Sequence, residues 1–455
     1  MLRVYGLICF TLTNAVFCYL YTDSVGSSLV LISFFLNLLC IAIGLNQSVR
    51  NKQLNLDTII WVFVYMFFFL APIVQINYAE YFPNSLPITK SDILRANSLL
   101  FLWNIIYLLF RRQSQVIKVS ESTDNKAVLS FVNNYVRTGY FLAALSIATV
   151  TFARFKLGFF FGDADYSTLI SNKSILLLVN ISVQGAVFAN WLFSFNTWKR
   201  KGNIANFIYV LVSSIIAIYQ LSPFNTNRSY IGFCIIVIVY LYYSQKINPS
   251  RFLWIIFSGL LFIFPIMNNF RYGFQNFEMP SLYHLMFDQL TELHFDAYSN
   301  LIATFHYVNA NGFAYGYQML GVLFFFVPRN IWSGKPLSSG EAVGNFISTR
   351  FEMNFTNISN PIPSEFYINF GWFGIFLGAY LISKFVNRLE SDAITDRYTH
   401  ALIAGYLFVI YRGDLMNAFA YCFGTYVIMV IVPKAIFRLS KQSIPLQPVR
   451  RLHNG

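Results

Sequence analysis

Apolar runs close to the length of a lipid bilayer recur along almost the whole chain, and they govern what it can fold into. A hydrocarbon core of about 30 Å takes roughly 20 apolar residues of helix. Runs of this kind lie at residues 4–21, 27–45, 58–76, 93–110, 139–155, 174–195, 204–221, 230–244, 252–268, 366–385, 400–411 and 416–432, with the eighth, eleventh and twelfth short. They predict an all-α polytopic membrane protein of about 12 transmembrane helices. Composition agrees: 56% of the 455 residues are hydrophobic and only 11% are charged, far more apolar than a soluble protein of this size. The 50 Phe and 29 Tyr suit lipid packing and anchoring at the headgroup level, so their number alone does not imply a ligand-stacking surface.

The first run follows Met1 and Arg3 as a secretory signal would, but no small-x-small cleavage site follows it, so it is read as the first membrane helix. Cys9, Cys18, Cys40, Cys234 and Cys422 all fall inside apolar runs, where a thiol behaves as a small hydrophobe. They form no CxxC pair and no disulfide framework. A net charge of +13 would suggest nucleic acid in a soluble protein. Here its distribution follows topology instead: with both termini in the cytoplasm, 21 of the 32 Lys and Arg fall on cytoplasmic connections, against 6 of the 19 acidic residues. No nucleic-acid partner is expected.

One connection is long. The threading divides the chain into nine helices over 1–269, a large non-cytoplasmic loop over 270–365, three helices over 366–437 and a loose cytoplasmic tail from 438 to 455. Within the loop, Leu282, Leu285, Met286, Leu290, Leu293 and Ile302 form a stripe that predicts helices lying on the membrane surface. Residues 317–327 are apolar but about half the length needed to span, which predicts a re-entrant or interfacial segment.

The cations that topology does not explain are Lys90, Arg95, Arg154, Lys156, Lys173, Arg228, Arg271, Arg329, Lys335, Arg350 and Arg412. Guanidinium groups hold phosphate oxygens bidentately and stay charged at any relevant pH. Convergence of Arg228, Arg271 and Arg412 near the large loop would therefore suit a pyrophosphate, the alternative being that each snorkels separately to the headgroups. The densest group is Pro328, Arg329, Trp332, Lys335 and Pro336 in the block VPRNIWSGKP. Its prolines exclude a continuing helix, and it offers two cations and a rigid ring for a sugar or a headgroup, or else an interfacial anchor.

A hydroxyl nucleophile needs a base on the same side. His284, Asp288, Glu292 and Asp296 recur every fourth residue, which predicts one helical face, either reactive or simply solvated. Asp296, His294 and Glu365 are the acid/base candidates; Glu365 starts the tenth helix, where the dipole alone would stabilise it. The spacings of His284, His294 and His306 match no metal-ligand pattern, so neither metal nor cofactor is expected. Walker A, GxGxxG and GxSxG motifs are absent from the sequence.

Residues 296–312, PRNIWSGKP at 328–336, Gly340, Glu365, FGWFG at 370–374 and NRS at 227–229 together resemble the Wzy-type polymerases of O-antigen and capsular polysaccharides. The likeness covers about a quarter of the chain at motif level. It implies a GT-C-like glycosyltransferase of the bacterial inner membrane that needs no cofactor. Such an enzyme joins repeat units carried on undecaprenyl pyrophosphate at the periplasmic face, beside a chain-length regulator and a flippase as candidate partners. It also implies that Arg228, Arg271, Arg329, Lys335 and Arg412 face the pyrophosphate, that Trp332 packs the substrate, and that Asp296, His294 or Glu365 moves the proton. Two rivals remain: a lipid-linked oligosaccharide flippase, which would place cations within its helices around a central cavity, and an O-antigen ligase, which shares the chemistry.

Overall fold

Short polar residues set where the helices begin. Asn55, Asn133, Asn203 and Asn248 each accept, through the side chain, a backbone N–H of the first turn that follows, while Thr89 and Asp92 form a reciprocal capping box. Behind these caps and elsewhere the computed structural model has helices and no strands among the residues it describes, which are 2–22, 27–50, 53–77, 86–112, 129–244, 246–263, 281, 287–352, 356–392 and 397–442. Arg271, His284, Leu282, Leu285, Met286 and the tail from Ser443 lie outside these.

Helices occupy all twelve predicted positions: α1 (Leu2–Thr22), α2 (Ser28–Arg50), α3 (Leu56–Asn77), α4 (Lys90–Phe110), α5 (Asn134–Phe155), α6 (Lys173–Lys201), α7 (Ile204–Gln220), α8 (Arg228–Tyr242) and α9 (Pro249–Ile263). After these come α10 (Ala297–Asn311), α11 (Tyr317–Leu323), α12 (Ser339–Phe351), α13 (Ile362–Asp392), α14 (Arg397–Arg412) and α15 (Leu415–Lys441). Among the described residues seven helices, namely α2, α3, α4, α5, most of α6, α13 and α15, are long and apolar enough to cross a membrane. The protein is thus a polytopic membrane protein. Inside α3, Pro72 withholds an N–H, and a π-helical turn at Met66–Leu70 widens the preceding backbone to accommodate it.

The chain divides into two compact units, residues 1–118 with 228–422, and residues 119–227 with 423–455. In the second, α6 packs between α5 and α7, and Asn190 on α6 donates to the Ser213 hydroxyl of α7 at 3.0 Å. In the first, α4 packs on α2 and α13, and α14 packs on α8 and α3. Polar side chains lace the apolar helices together: Asn37 of α2 donates to the Asn97 carbonyl of α4 at 2.9 Å, Asn104 donates to Asn37 at 3.1 Å, and the Tyr298 hydroxyl of α10 donates to Asn97 at 3.0 Å. In lipid, where apolar packing drives association weakly, such bonds and small residues hold helices together. Gly44 illustrates the second device, since a Cβ there would lie 2.0 Å from the Trp61 ring of α3.

Two expectations for the long connection fail, the surface helix through Leu290, Leu293 and Ile302 and the shared acidic face. The stripe at Leu290, Leu293 and Ile302 does not belong to one surface helix. Residues 288–291 and 293–295 are separate 3-10 turns, broken by extended backbone at Glu292, and α10 starts only after Asp296. Asp288, Glu292 and Asp296 therefore share no helical face. Most of α10 from Ala297 to Phe305 is buried rather than laid on the membrane; its small and polar residues, Ala297, Ser299, Asn300, Ala303 and Thr304, let it pack among other helices. Residues 317–327 hold only the two-turn α11 and do not cross.

α13 is not one rod. Gly371 has φ 60° and ψ −141°, a conformation that glycine reaches at little cost. The arm before it turns back, so that a Cβ on Gly374 would lie 2.0 Å from the Phe366 carbonyl and one on Gly378 2.5 Å from the Phe366 ring. The stretch after the break, residues 372–392, is about 31 Å long at 1.5 Å per residue, a bilayer thickness in itself. Its far end is clamped by buried charges. Arg111 is bidentate on Asp57, with contacts of 2.8–3.0 Å, and Tyr107 donates to the same carboxylate at 2.6 Å. Glu390 accepts the Leu56 N–H at 2.8 Å and meets His400 at 3.4 Å.

Asp57→Ala is expected to cost about 3–5 kcal/mol because it strands Arg111 inside the bundle. Thermal unfolding in detergent should show a large loss for the single variant and recovery of most of it in Asp57→Leu/Arg111→Met, whose absence would remove the pair from the clamp.

Candidate functional site

Three helix ends of the first unit and the segment before α13 meet around one short segment, residues 289–296. At the end of α3, Gln75 donates to the Leu290 and Phe295 carbonyls at 2.7 and 3.0 Å, and the Phe67 ring stacks on Phe295 with centroids 4.9 Å apart. From the start of α8, Arg228 reaches His294 Nε2 at 3.0 Å. From the end of α14, Arg412 donates to the Leu293 carbonyl and to Asp296 Oδ1, both at 3.1 Å. From the segment before α13, the Ser359 hydroxyl donates to Asp296 Oδ1 at 2.6 Å.

The sequence candidates Arg228, His294, Asp296 and Arg412 are thus brought together, each by a bond that its chemistry dictates. A guanidinium only donates, so in a hydrogen bond between the two His294 Nε2 is the acceptor and Arg228 the donor. Glu292 lies 3.7 Å from the same nitrogen. Asp296 occupies the N-cap of α10, yet its side chain makes no capping bond. Its carboxylate is turned instead to Arg412 and Ser359, and it is 6% exposed. The Nε of Arg412 is buried and has no hydrogen-bond partner among the described residues.

A second pair of carboxyl groups stands beside the first group. Glu365 accepts from the Ser339 hydroxyl and, at 2.8 Å, from the Leu415 N–H. That arrangement assigns it to specific donors rather than to the helix dipole alone. One residue before Leu415, Asp414 accepts the N–H groups of Met416 at 2.9 Å and of Gly340 at 3.3 Å. Burial raises the Asp414 carboxyl above its ordinary range, offset in part by the Ser338 hydroxyl and by these N–H donors. Close approach makes the arrangement possible, since a Cβ on Gly340 would lie 2.1 Å from the Ile358 carbonyl and 3.2 Å from Asp414 Oδ2.

Asp414 lines a cavity of about 270 Å³ with Asn357, Ser359, Gly413, Asn417 and Tyr421 among others. Such a volume is near the lower bound for small-molecule pockets and suits one sugar ring or a phosphate group. Ser359 touches both the cavity and Asp296, and Arg412 precedes the lining residue Gly413. Among the described residues no three His, Cys, Asp or Glu side chains are placed to hold a metal ion.

The block VPRNIWSGKP is arranged differently. Arg329 donates to the carbonyls of Lys335 and Pro336 at 2.6 and 3.3 Å, and Lys335 Nζ donates to those of Phe325 and Val327 at 2.6 and 2.9 Å. Burial and the nearby Arg329 guanidinium lower the Lys335 pKa. Trp332 is edge-on to Tyr317 and Phe324. These residues close their own loop, which is tied to the carboxyl pair through Pro336, Ser338 and Ser339.

Asp414 and Ser359 were not singled out from the sequence. The available signal was Arg412-Gly413-Asp414 at the break between the last two apolar runs, where an aspartate can cap the helix that follows. No protein-family model, curated protein or solved structure matches the chain.

A carboxyl whose folded pKa lies above its unfolded value of about 3.9 contributes stability that is fully present below that value and lost as pH rises through the folded titration. Thermal midpoints in detergent at about pH 4 and about pH 8 should therefore differ less for Asp414→Asn than for the parent protein; an unchanged difference would remove Asp414 from the titration.

Proposed function

We propose that this protein polymerises undecaprenyl-pyrophosphate-linked oligosaccharide repeat units at the periplasmic face of the bacterial inner membrane, as a Wzy-type, GT-C-like enzyme. In this reading it has twelve transmembrane helices and cytoplasmic termini. The observation that carries the reading is the meeting of Arg228 with His294 and of Arg412 with Asp296 on one segment, beside a small cavity lined by Asp414. A site with paired guanidinium groups beside carboxylates is what transfer from a diphosphate leaving group asks of a protein.

The energy of the reaction lies in the bond between the anomeric carbon and the pyrophosphate oxygen. As that bond breaks, both electrons leave with the diphosphate, and Arg228 and Arg412 offset the charge that develops. An acceptor hydroxyl forms the new bond to the anomeric carbon and gives its proton to a carboxylate. Asp296 can serve once Arg412 exchanges it for the diphosphate, so that substrate arrival frees the base. Asp414, whose pKa burial raises, and Glu365 are the other acceptors within the same group. Arg329 and Lys335 take part through the loop they close, and Trp332 through its shape. Arg271 keeps its sequence-based assignment to the pyrophosphate.

The rival flippase would place its cations along a central cavity, whereas these stand at helix ends. The ligase shares the site, and genetics separates all three: loss of a polymerase leaves surface lipid capped by a single repeat unit, loss of a ligase leaves polymer on the carrier, and loss of a flippase strands units in the cytoplasm. Arg412→Ala and Arg228→Ala should each give the single-unit phenotype, with polymerisation in membranes falling about 10²–10³-fold at normal protein level. Full-length ladders from both variants would overturn the proposal.

A further inference from the structure

The segment from Tyr317 to Pro336 combines two properties that water does not require. Its surface carries a run of exposed apolar side chains, interrupted by Arg329, Asn330 and Ser333: Ile331 is 80%, Phe326 66% and Leu323 60% exposed, with Leu320 and Phe324 beside them. Its irregular backbone is also supplied with internal donors. Carbonyls of Phe325, Val327, Lys335 and Pro336 accept from Lys335 or Arg329, and that of Gly334 accepts from the Tyr317 hydroxyl. In water such carbonyls need no side-chain partner, because solvent supplies one. Next to hydrocarbon each unsatisfied group costs several kcal/mol, and non-helical backbone persists only when its polar groups are paired.

This surface also continues a membrane-facing one. Phe313, just before the segment, would touch a Cβ placed on Gly371, and the Ala314 N–H donates to the Ile368 carbonyl. From Gly371 onward, α13 exposes Trp372, Phe373 and Phe376 along a helix of membrane-crossing length.

We infer that residues 317–336 form a monotopic flap that inserts Leu323, Phe324, Phe326 and Ile331 among lipid acyl chains, with Arg329 and Lys335 acting as internal donors to its backbone. The flap enters the boundary between headgroups and acyl chains to a depth of about 5–10 Å, as amphipathic interfacial segments do. The inference is independent of the polymerase reading. The sequence pattern suggests anion binding for the two cations, and the geometry gives them a structural task instead.

The test uses nitroxide labels on single cysteines at 323, 326 and 331, in full-length protein whose five native cysteines are replaced, reconstituted in phosphatidylethanolamine and phosphatidylglycerol vesicles. Labels at Phe373 and Asn311 give the lipid-facing and water-facing references. The expected result is collision with oxygen favoured over the aqueous nickel chelate, as at Phe373. Preference for the chelate, as at Asn311, overturns the inference, and so does protection from both reagents, which would mean that protein or a second copy covers the surface. Lys335→Met, with the Phe373 label reporting an intact fold, should move the 326 label toward the aqueous reagent; an unmoved label overturns the donor role of Lys335.

Discussion

Charges inside a lipid-embedded bundle persist only when they are paired, and the rest of this structure is arranged around that constraint. At one end of the first unit Arg111 pairs with Asp57, and Glu390 with His400 and the Leu56 N–H. At the opposite ends of α3, α8 and α14 the pairing is looser in kind. Arg412 is one-third exposed and its Nε has no hydrogen-bond partner among the described residues, and Arg228 spends a donor on the imidazole of His294. The same physical rule yields a clamp where both partners are buried and fully engaged, and a candidate anion site where the guanidinium keeps capacity to spare.

The packing that positions these groups combines large apolar side chains with small and polar ones. On α10, Ala297, Ser299, Asn300, Ala303 and Thr304 are buried beside Tyr298, Leu301, Ile302 and Phe305. The helix presents Asp296 at its N-cap without spending the carboxylate on itself. Gly340 brings α12 against the strap at Ile358 and so lets its N–H reach Asp414. Gly371 reverses the chain and carries Glu365 back toward Ser339 and Leu415. Each contact depends on the absence or modest size of a side chain elsewhere.

The two groups of cations that look alike in sequence separate once their acceptors are known. Arg228 and Arg412 face side chains that a substrate can displace, a histidine and a carboxylate. Arg329 and Lys335 face backbone carbonyls of their own loop, and displacing them would take those donors from the loop's irregular backbone. Substrate exchange is therefore far easier at the first group than at the second.

The sequence by itself determined that the chain is helical and membrane-embedded, and where its apolar helices lie, because hydrophobic length and the lack of solvent inside a bilayer leave a run of about 20 apolar residues few other folds. It also named Arg228, His294, Asp296, Glu365 and Arg412, since charges are rare in such a chain and each stands out. Only the tertiary structure decided which of them meet, that Asp414 and Ser359 join them, that Asp288, Glu292 and Asp296 do not share a helix, and that α10 is buried. Periodicity counts residues along one element, whereas these contacts arise between elements, from the extended break at Glu292, reversal at Gly371 and close approach at Gly340, and no local pattern records the partner that another helix will bring.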